Sequence, residues 1–158
     1  MKENELSILC HKIRFLMESW AADGTLNKVL GSSNKDFPSG SCGTTSEALA
    51  AIIYYATGEI VTHVTGVCKP SNKYYGKLGA NSHLWVEYAG NTIDLTGDQF
   101  NSSLNIPAVL ISQSPHPLSR YMTISKKQAL IVEITKQAGP FDSNLVSLIN
   151  LLRKELKV

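Results

Sequence analysis

Ser82-His-Leu-Trp-Val-Glu-Tyr-Ala-Gly-Asn-Thr-Ile-Asp-Leu-Thr96 reads as two short strands joined by a tight turn. Residues 82 to 89 and 92 to 96 carry the β-branched and aromatic side chains that suit a pleated, half-buried surface, and Gly90-Asn91 has the composition of a two-residue hairpin loop. With that turn, Ala89 pairs with Thr92, His83 lies opposite Asp98, and Glu87 lies opposite Asp94. The two-residue alternation puts His83, Trp85 and Glu87 on one face with Asp94, Thr96 and Asp98. The hairpin thus predicts a histidine sharing a sheet face with two aspartates. Pairing slightly favours Asp98 unless Gly97 ends the strand before it, and Asp94 needs a bulge or strong twist to reach His83.

Upstream, Asp36-Phe-Pro-Ser-Gly-Ser-Cys-Gly-Thr-Thr-Ser-Glu-Ala-Leu49 carries a loop of small residues straight into a helix expected from Cys42 to Thr57. Ser41 is the candidate N-cap, and Thr44 with Glu47 has capping-box spacing. A helix N-terminus offers free backbone N–H groups and partial positive charge, both of which favour thiolate over thiol. Free cysteines are usually core residues, and Cys10 and Cys68 are read that way. Cys42 differs because of where it sits. Cys42, His83 and an aspartate, Asp94 or Asp98, form a candidate catalytic triad: a thiol, a base whose ordinary pKa is near 6.5, and an acid that fixes the ring. His63 is read as packing or surface, His116, between two prolines, as exposed, and Trp85 as core.

Around these motifs the pattern is helix, then strands, then helix. Leu6, Leu9, Ile13, Leu16, Met17 and Trp20 form one stripe of a helix over residues 3 to 22, closed by Gly24. Residues 31 to 41 and 69 to 81 read as loops, and residues 59 to 66 and 107 to 112 as further strands. Ser125 and Gln128 have capping-box spacing and predict a helix over about residues 126 to 137. A last amphipathic helix follows Gly139-Pro140, capped by Asp142 or Ser143, with Leu145, Leu148, Ile149, Leu152 and Leu156 on one side. This order argues for an α+β fold with an antiparallel sheet.

At 158 residues, with 43% hydrophobic and 18% charged, the chain is expected to form a single globular domain over residues 1 to 158. A net charge of +2 with scattered basic residues gives no nucleic-acid footprint. No stretch approaches the roughly 20 apolar residues of a membrane span, and Met1-Lys-Glu-Asn-Glu-Leu-Ser7 has no signal-like apolar region. Three widely spaced cysteines suit a reducing cytoplasm better than a disulfide framework, though signal-free export would leave no mark. Paired zinc-ligand motifs, phosphate loops and dinucleotide fingerprints are missing, so no metal and no cofactor are expected.

Cys42-Gly at a helix start, His83-Leu-Trp-Val-Glu on a strand and Ile93-Asp-Leu-Thr on the next together resemble the transglutaminase-like branch of the papain-like cysteine enzymes. The likeness covers about residues 36 to 100. It implies a central helix bearing the cysteine, packed on a small antiparallel sheet, with flanking terminal helices outside the match. It also implies Cys42 as nucleophile, His83 as general base and acid, and Asp94 rather than Asp98 as the orienting acid. The activity implied is cleavage of an amide in a peptide or glutamine side chain, as in a thiol protease or deamidase, on a peptide or protein substrate, with backbone N–H groups and a loop side chain such as Asn34 holding the oxyanion. The chain departs from the transglutaminase pattern in its short inter-strand connection and in having no tryptophan just before Cys42. An acyltransferase of the same fold, of transglutaminase or N-acetyltransferase type, and a non-catalytic binding module are the alternatives.

Overall fold

The computed structural model describes residues 1 to 31, 36 to 128 and 140 to 158. Among them the chain forms four α-helices, α1 (Glu3–Asp23), α2 (Thr25–Leu30), α3 (Cys42–Thr57) and α4 (Pro140–Leu156), and five strands, β1 (Thr62–Val67), β2 (Ser82–Tyr88), β3 (Asn91–Asp94), β4 (Leu110–Ser112) and β5 (Thr123–Gln128). The strands make one antiparallel sheet in the order β4-β3-β2-β1-β5. The class is α+β.

The helices pack against one another, with α3 against β1 and β2. α1 buries Leu6, Leu9, Cys10, Ile13, Arg14 and Met17, and Gly24 closes it in the left-handed conformation that glycine adopts without steric cost. In α3, Ala48 to Ile53 are buried without interruption, so this helix lies in the middle of the core. Leu145, Leu148, Ile149 and Leu152 of α4 join the same cluster, as do Val86, Tyr88 and Ile93 from one face of the sheet. A smaller cluster of Cys68, Leu78, Phe100, Ile106, Leu118 and Met122 forms separately.

Several details differ from the expectations. A short helix, α2, stands before the segment read as a loop from residue 31, of which residues 32 to 35 lie outside the described residues. Ser41 stands before α3, but its hydroxyl makes no cap bond and is buried without a partner. The segment read as a helix from residue 126 begins as strand: Thr123–Gln128 pairs along β1, and residues 129 to 137 lie outside the described residues. α4 starts at Pro140, which suits a first helical turn because its missing N–H is one the helix leaves unbonded there, so residues 142 and 143 lie inside the helix rather than at its cap.

The hairpin turn is Ala89-Gly90, not Gly90-Asn91. The pairs are Val86 with Ile93, Glu87 with Thr92, and Tyr88 with Asn91. Ala89 and Gly90 have φ of 49° and 78°, the positive values that a type I′ turn demands at both central positions. Register therefore slides two residues from the expected pairing. A slide of two keeps every side chain on its face. It moves Asp94 toward His83.

Arg14 ties α1 to the far end of this hairpin. Its guanidinium donates to both oxygens of Asp98 at 2.8 and 2.7 Å, to the Leu95 carbonyl at 2.6 Å and to Glu18 at 2.7 Å, and lies over the Phe37 ring. The pair is largely buried, and removing one partner of such a pair leaves an uncompensated charge. Arg14→Met is expected to lower stability by about 3 kcal/mol, read from the urea midpoint. A loss below about 0.5 kcal/mol would mean the pair behaves like an exposed one.

Candidate functional site

The site forms where the start of α3 meets the first residues of β2 and the end of β3. Cys42 is the first residue of α3 and is half-buried. The Cys42 thiol faces the His83 imidazole and the backbone N–H groups of Leu84 and Gly43. Burial opposes ionisation of this thiol, but those N–H groups and the facing imidazole outweigh it, so its pKa lies below the ordinary cysteine value.

His83 is fully buried. Its Nε2 donates to Asp94 Oδ2 at 2.7 Å, which leaves Nδ1 for the thiol. Burial alone would lower its pKa, yet Asp94 and Cys42 overcome that and hold it up at about 9. The two shifts run in opposite directions, and both favour the thiolate–imidazolium form of the pair.

Asp94 is 2% exposed and accepts four hydrogen bonds. Its Oδ2 takes His83 Nε2 and His116 Nε2, at 2.7 and 2.9 Å, and its Oδ1 takes the Thr96 backbone N–H and hydroxyl, at 2.8 and 3.2 Å. Burial would favour the neutral acid, but the two imidazoles hold it well below the usual carboxylate range. Asp98, the alternative acid, faces Arg14 instead, where its two oxygens match the guanidinium fork. The structure thus brings together Cys42, His83 and Asp94 and leaves Asp98 out. Asn34 lies outside the described residues.

His116 is the residue the sequence misplaced. It is 2% exposed, stacks on Trp85 with ring centroids 4.2 Å apart, and accepts the Leu118 N–H at Nδ1. That bond fixes its tautomer: Nδ1 carries the lone pair, and Nε2–H points at Asp94. The 3₁₀ turn Pro117–Arg120 supplies the Leu118 N–H, so the rigid Pro-His-Pro segment aims the ring inward. Gln99, on the 3₁₀ turn Gly97–Phe100, has no site role in the sequence reading, and its Nε2 lies 3.2 Å from His83 Nδ1. His63 is buried on β1, where burial keeps it neutral, Cys68 is buried, and burial pushes the Cys10 thiol up to about 12.

His83, Asp94 and His116 also have ligand atoms within 4.8 Å of one another. This donor set is committed to hydrogen bonds. A metal on His116 Nε2 would displace the proton it shares with Asp94 while Nδ1 still accepted from Leu118, leaving an imidazolate.

No family model, curated protein or solved structure matches the chain. No helix among the described residues is long and apolar enough to cross a membrane.

Two expectations follow from this packing. A Cβ added at Gly97 would stand 2.6 Å from both Asp94 Oδ2 and Ile106 Cγ2. Gly97→Ala is therefore expected to cost about 1–3 kcal/mol by denaturant unfolding, and an unchanged midpoint would show that the carboxylate yields freely. Asp94 binds fewer protons folded than unfolded, so its stabilisation is present above the unfolded carboxyl pKa of about 3.9 and is lost as pH falls toward the depressed folded value. The urea midpoint of the wild type should rise with pH between about 2 and 5 more steeply than that of Asp94→Asn. Equal slopes would mean that Asp94 titrates normally.

Proposed function

We propose that the protein is a cysteine hydrolase that cleaves an amide bond through a thioester, with Cys42 as nucleophile, His83 as acid and base, and Asp94 as the group that orients His83. The observation that carries this reading is the buried relay: a thiol at a helix start facing an imidazole whose far nitrogen is held at 2.7 Å by a buried carboxylate. The motif resemblance to the transglutaminase-like branch of the papain-like enzymes points the same way, and the α+β arrangement with α3 packed on β2 is compatible with it.

The Cys42 thiolate adds to the carbonyl carbon, and the electron pair of the C=O moves onto oxygen. Backbone N–H groups at the start of α3 are the donors for that oxyanion. The tetrahedral intermediate collapses, the C–N bond breaks, and the proton on His83 Nδ1 passes to the leaving nitrogen. Neutral His83 then takes a proton from water, whose oxygen attacks the thioester. The acid product leaves, and the proton gained by His83 restores the thiolate–imidazolium pair. Throughout, Asp94 holds Nε2–H and keeps the ring from turning. A peptide bond or a glutamine side chain would supply the carbonyl.

Iodoacetamide labelling read by peptide mass spectrometry across pH tests the pair. Cys42 should react well below pH 8, faster than glutathione at the same pH, and should lose that advantage in His83→Ala. Burial makes Cys10 and Cys68 slow internal references. Release of amine or ammonia from peptide and glutamine amides should then disappear in Cys42→Ala. A Cys42 that reacts no faster than glutathione at any pH would overturn the proposal.

A further inference from the structure

Gln99 is half-buried and makes two hydrogen bonds through one atom. Its Nε2 lies 2.8 Å from the Thr96 carbonyl and 3.2 Å from His83 Nδ1. The Thr96 contact settles the orientation of the amide, because only its nitrogen donates to a carbonyl oxygen. One N–H serves Thr96, and the other is left for His83. On the imidazole, Nε2–H is taken by Asp94, so Nδ1 is the nitrogen that both the Cys42 thiol and Gln99 address.

These two neighbours make opposite demands. The Gln99 N–H needs a lone pair on Nδ1, whereas the thiolate needs a proton there. The Gln99 bond exists only while His83 is neutral and is lost when the ring becomes imidazolium. We propose that Gln99 is a positioning residue that stabilises neutral His83, with its proton on Nε2, against the imidazolium form and so eases release of the Nδ1 proton to the leaving group. This deepens the hydrolase reading and rests on it.

The need for such a residue lies in what surrounds the ring. Cys42 on α3 and Asp94 on β3 both favour the charged form and hold it up at about 9. His116 competes with His83 for the same Asp94 oxygen and has its ring centroid 5.8 Å from that of His83, and the other aromatic neighbours, Phe100 and Trp85, carry no charge. Asp98, next to Gln99 in the chain, is neutralised by Arg14. An imidazolium too well stabilised makes a poor acid at neutral pH. Gln99 is the group placed to offset this. When Nδ1 gives its proton to the leaving nitrogen, the exposed lone pair accepts the Gln99 N–H. When water later returns a proton to Nδ1, that bond breaks.

The test is the titration of the His83 Cε1–H by NMR in wild type, Gln99→Met and Gln99→Glu, with Cys42 alkylation followed on the same samples. Gln99→Met keeps the size of the side chain and removes the donor. It should favour imidazolium about three- to tenfold, raising the His83 midpoint by roughly half to one pH unit. Gln99→Glu, whose carboxylate accepts from Nδ1–H, should raise it further. A folded Gln99→Met with an unchanged or lower His83 midpoint would overturn the inference, and Gln99→Leu, which also removes the donor without adding charge, decides the matter in the same way if the methionine variant does not fold. The hydrolase reading fails separately. Its failure shows in wild type as an unreactive Cys42, while the His83 midpoints still report on the Gln99 bond.

Discussion

A single buried negative charge organises this molecule. A carboxylate taken out of water costs several kcal/mol unless its lone pairs are filled, and Asp94 fills them with donors from three places in the chain. His83 comes from β2, Thr96 from the residues just past β3, and His116 from the turn before β5. Those donors bring the end of the hairpin, the Pro-His-Pro segment and the start of β2 to one point. Gly97 is the cost in sequence freedom, since any side chain there would collide with the carboxylate.

The two aspartates four residues apart divide the work by shape. Asp98 meets a planar guanidinium with both oxygens, which makes a two-point brace between α1 and the 3₁₀ turn. Asp94 places both imidazoles on one oxygen and the Thr96 N–H and hydroxyl on the other, and so controls ring orientation. Neither could replace the other without stranding a charge. The brace also sets where Gln99 begins, so α1, remote from the chemistry in sequence, takes part in positioning it.

Much of this was legible from the chain. The helical stripe of α1, the apolar run of α3 and the cysteine at the α3 start follow from local periodicity and from the small-residue loop before Cys42, although Ser41 makes no cap bond there. The hairpin was legible as two strands but not in register. Glycine-asparagine looked like the turn, whereas Ala89 accepts a positive φ and Asn91 becomes the first strand residue, its side chain donating to the Ala89 carbonyl. The sharing of a face by His83 and Asp94 survived because the error was an even number. His116 and Gln99 were not legible as site residues, because their partners are far away in sequence and only tertiary packing turns them inward. Arg14 was hidden for the same reason, as a charge inside an apolar stripe. β5 was read as the start of a helix because Ser125 and Gln128 have the spacing of a cap. Its exposed Thr-Ile-Ser-Lys-Lys-Gln surface is that of an edge strand, which gives little hydrophobic signal.

The Ala89-Gly90 turn sets a rule for how this chain tolerates change over generations. Unless a bulge at the turn absorbs the change, adding or deleting one residue between β2 and β3 would turn Asp94 away from His83 and strand it on the apolar side, against the helices. Adding or deleting a pair moves Asp94 one step along the same face, within reach of compensation by neighbouring turns. Descendants and relatives of such a hairpin should therefore vary in length by twos, and the interval between histidine and aspartate should keep its odd parity where its absolute size drifts.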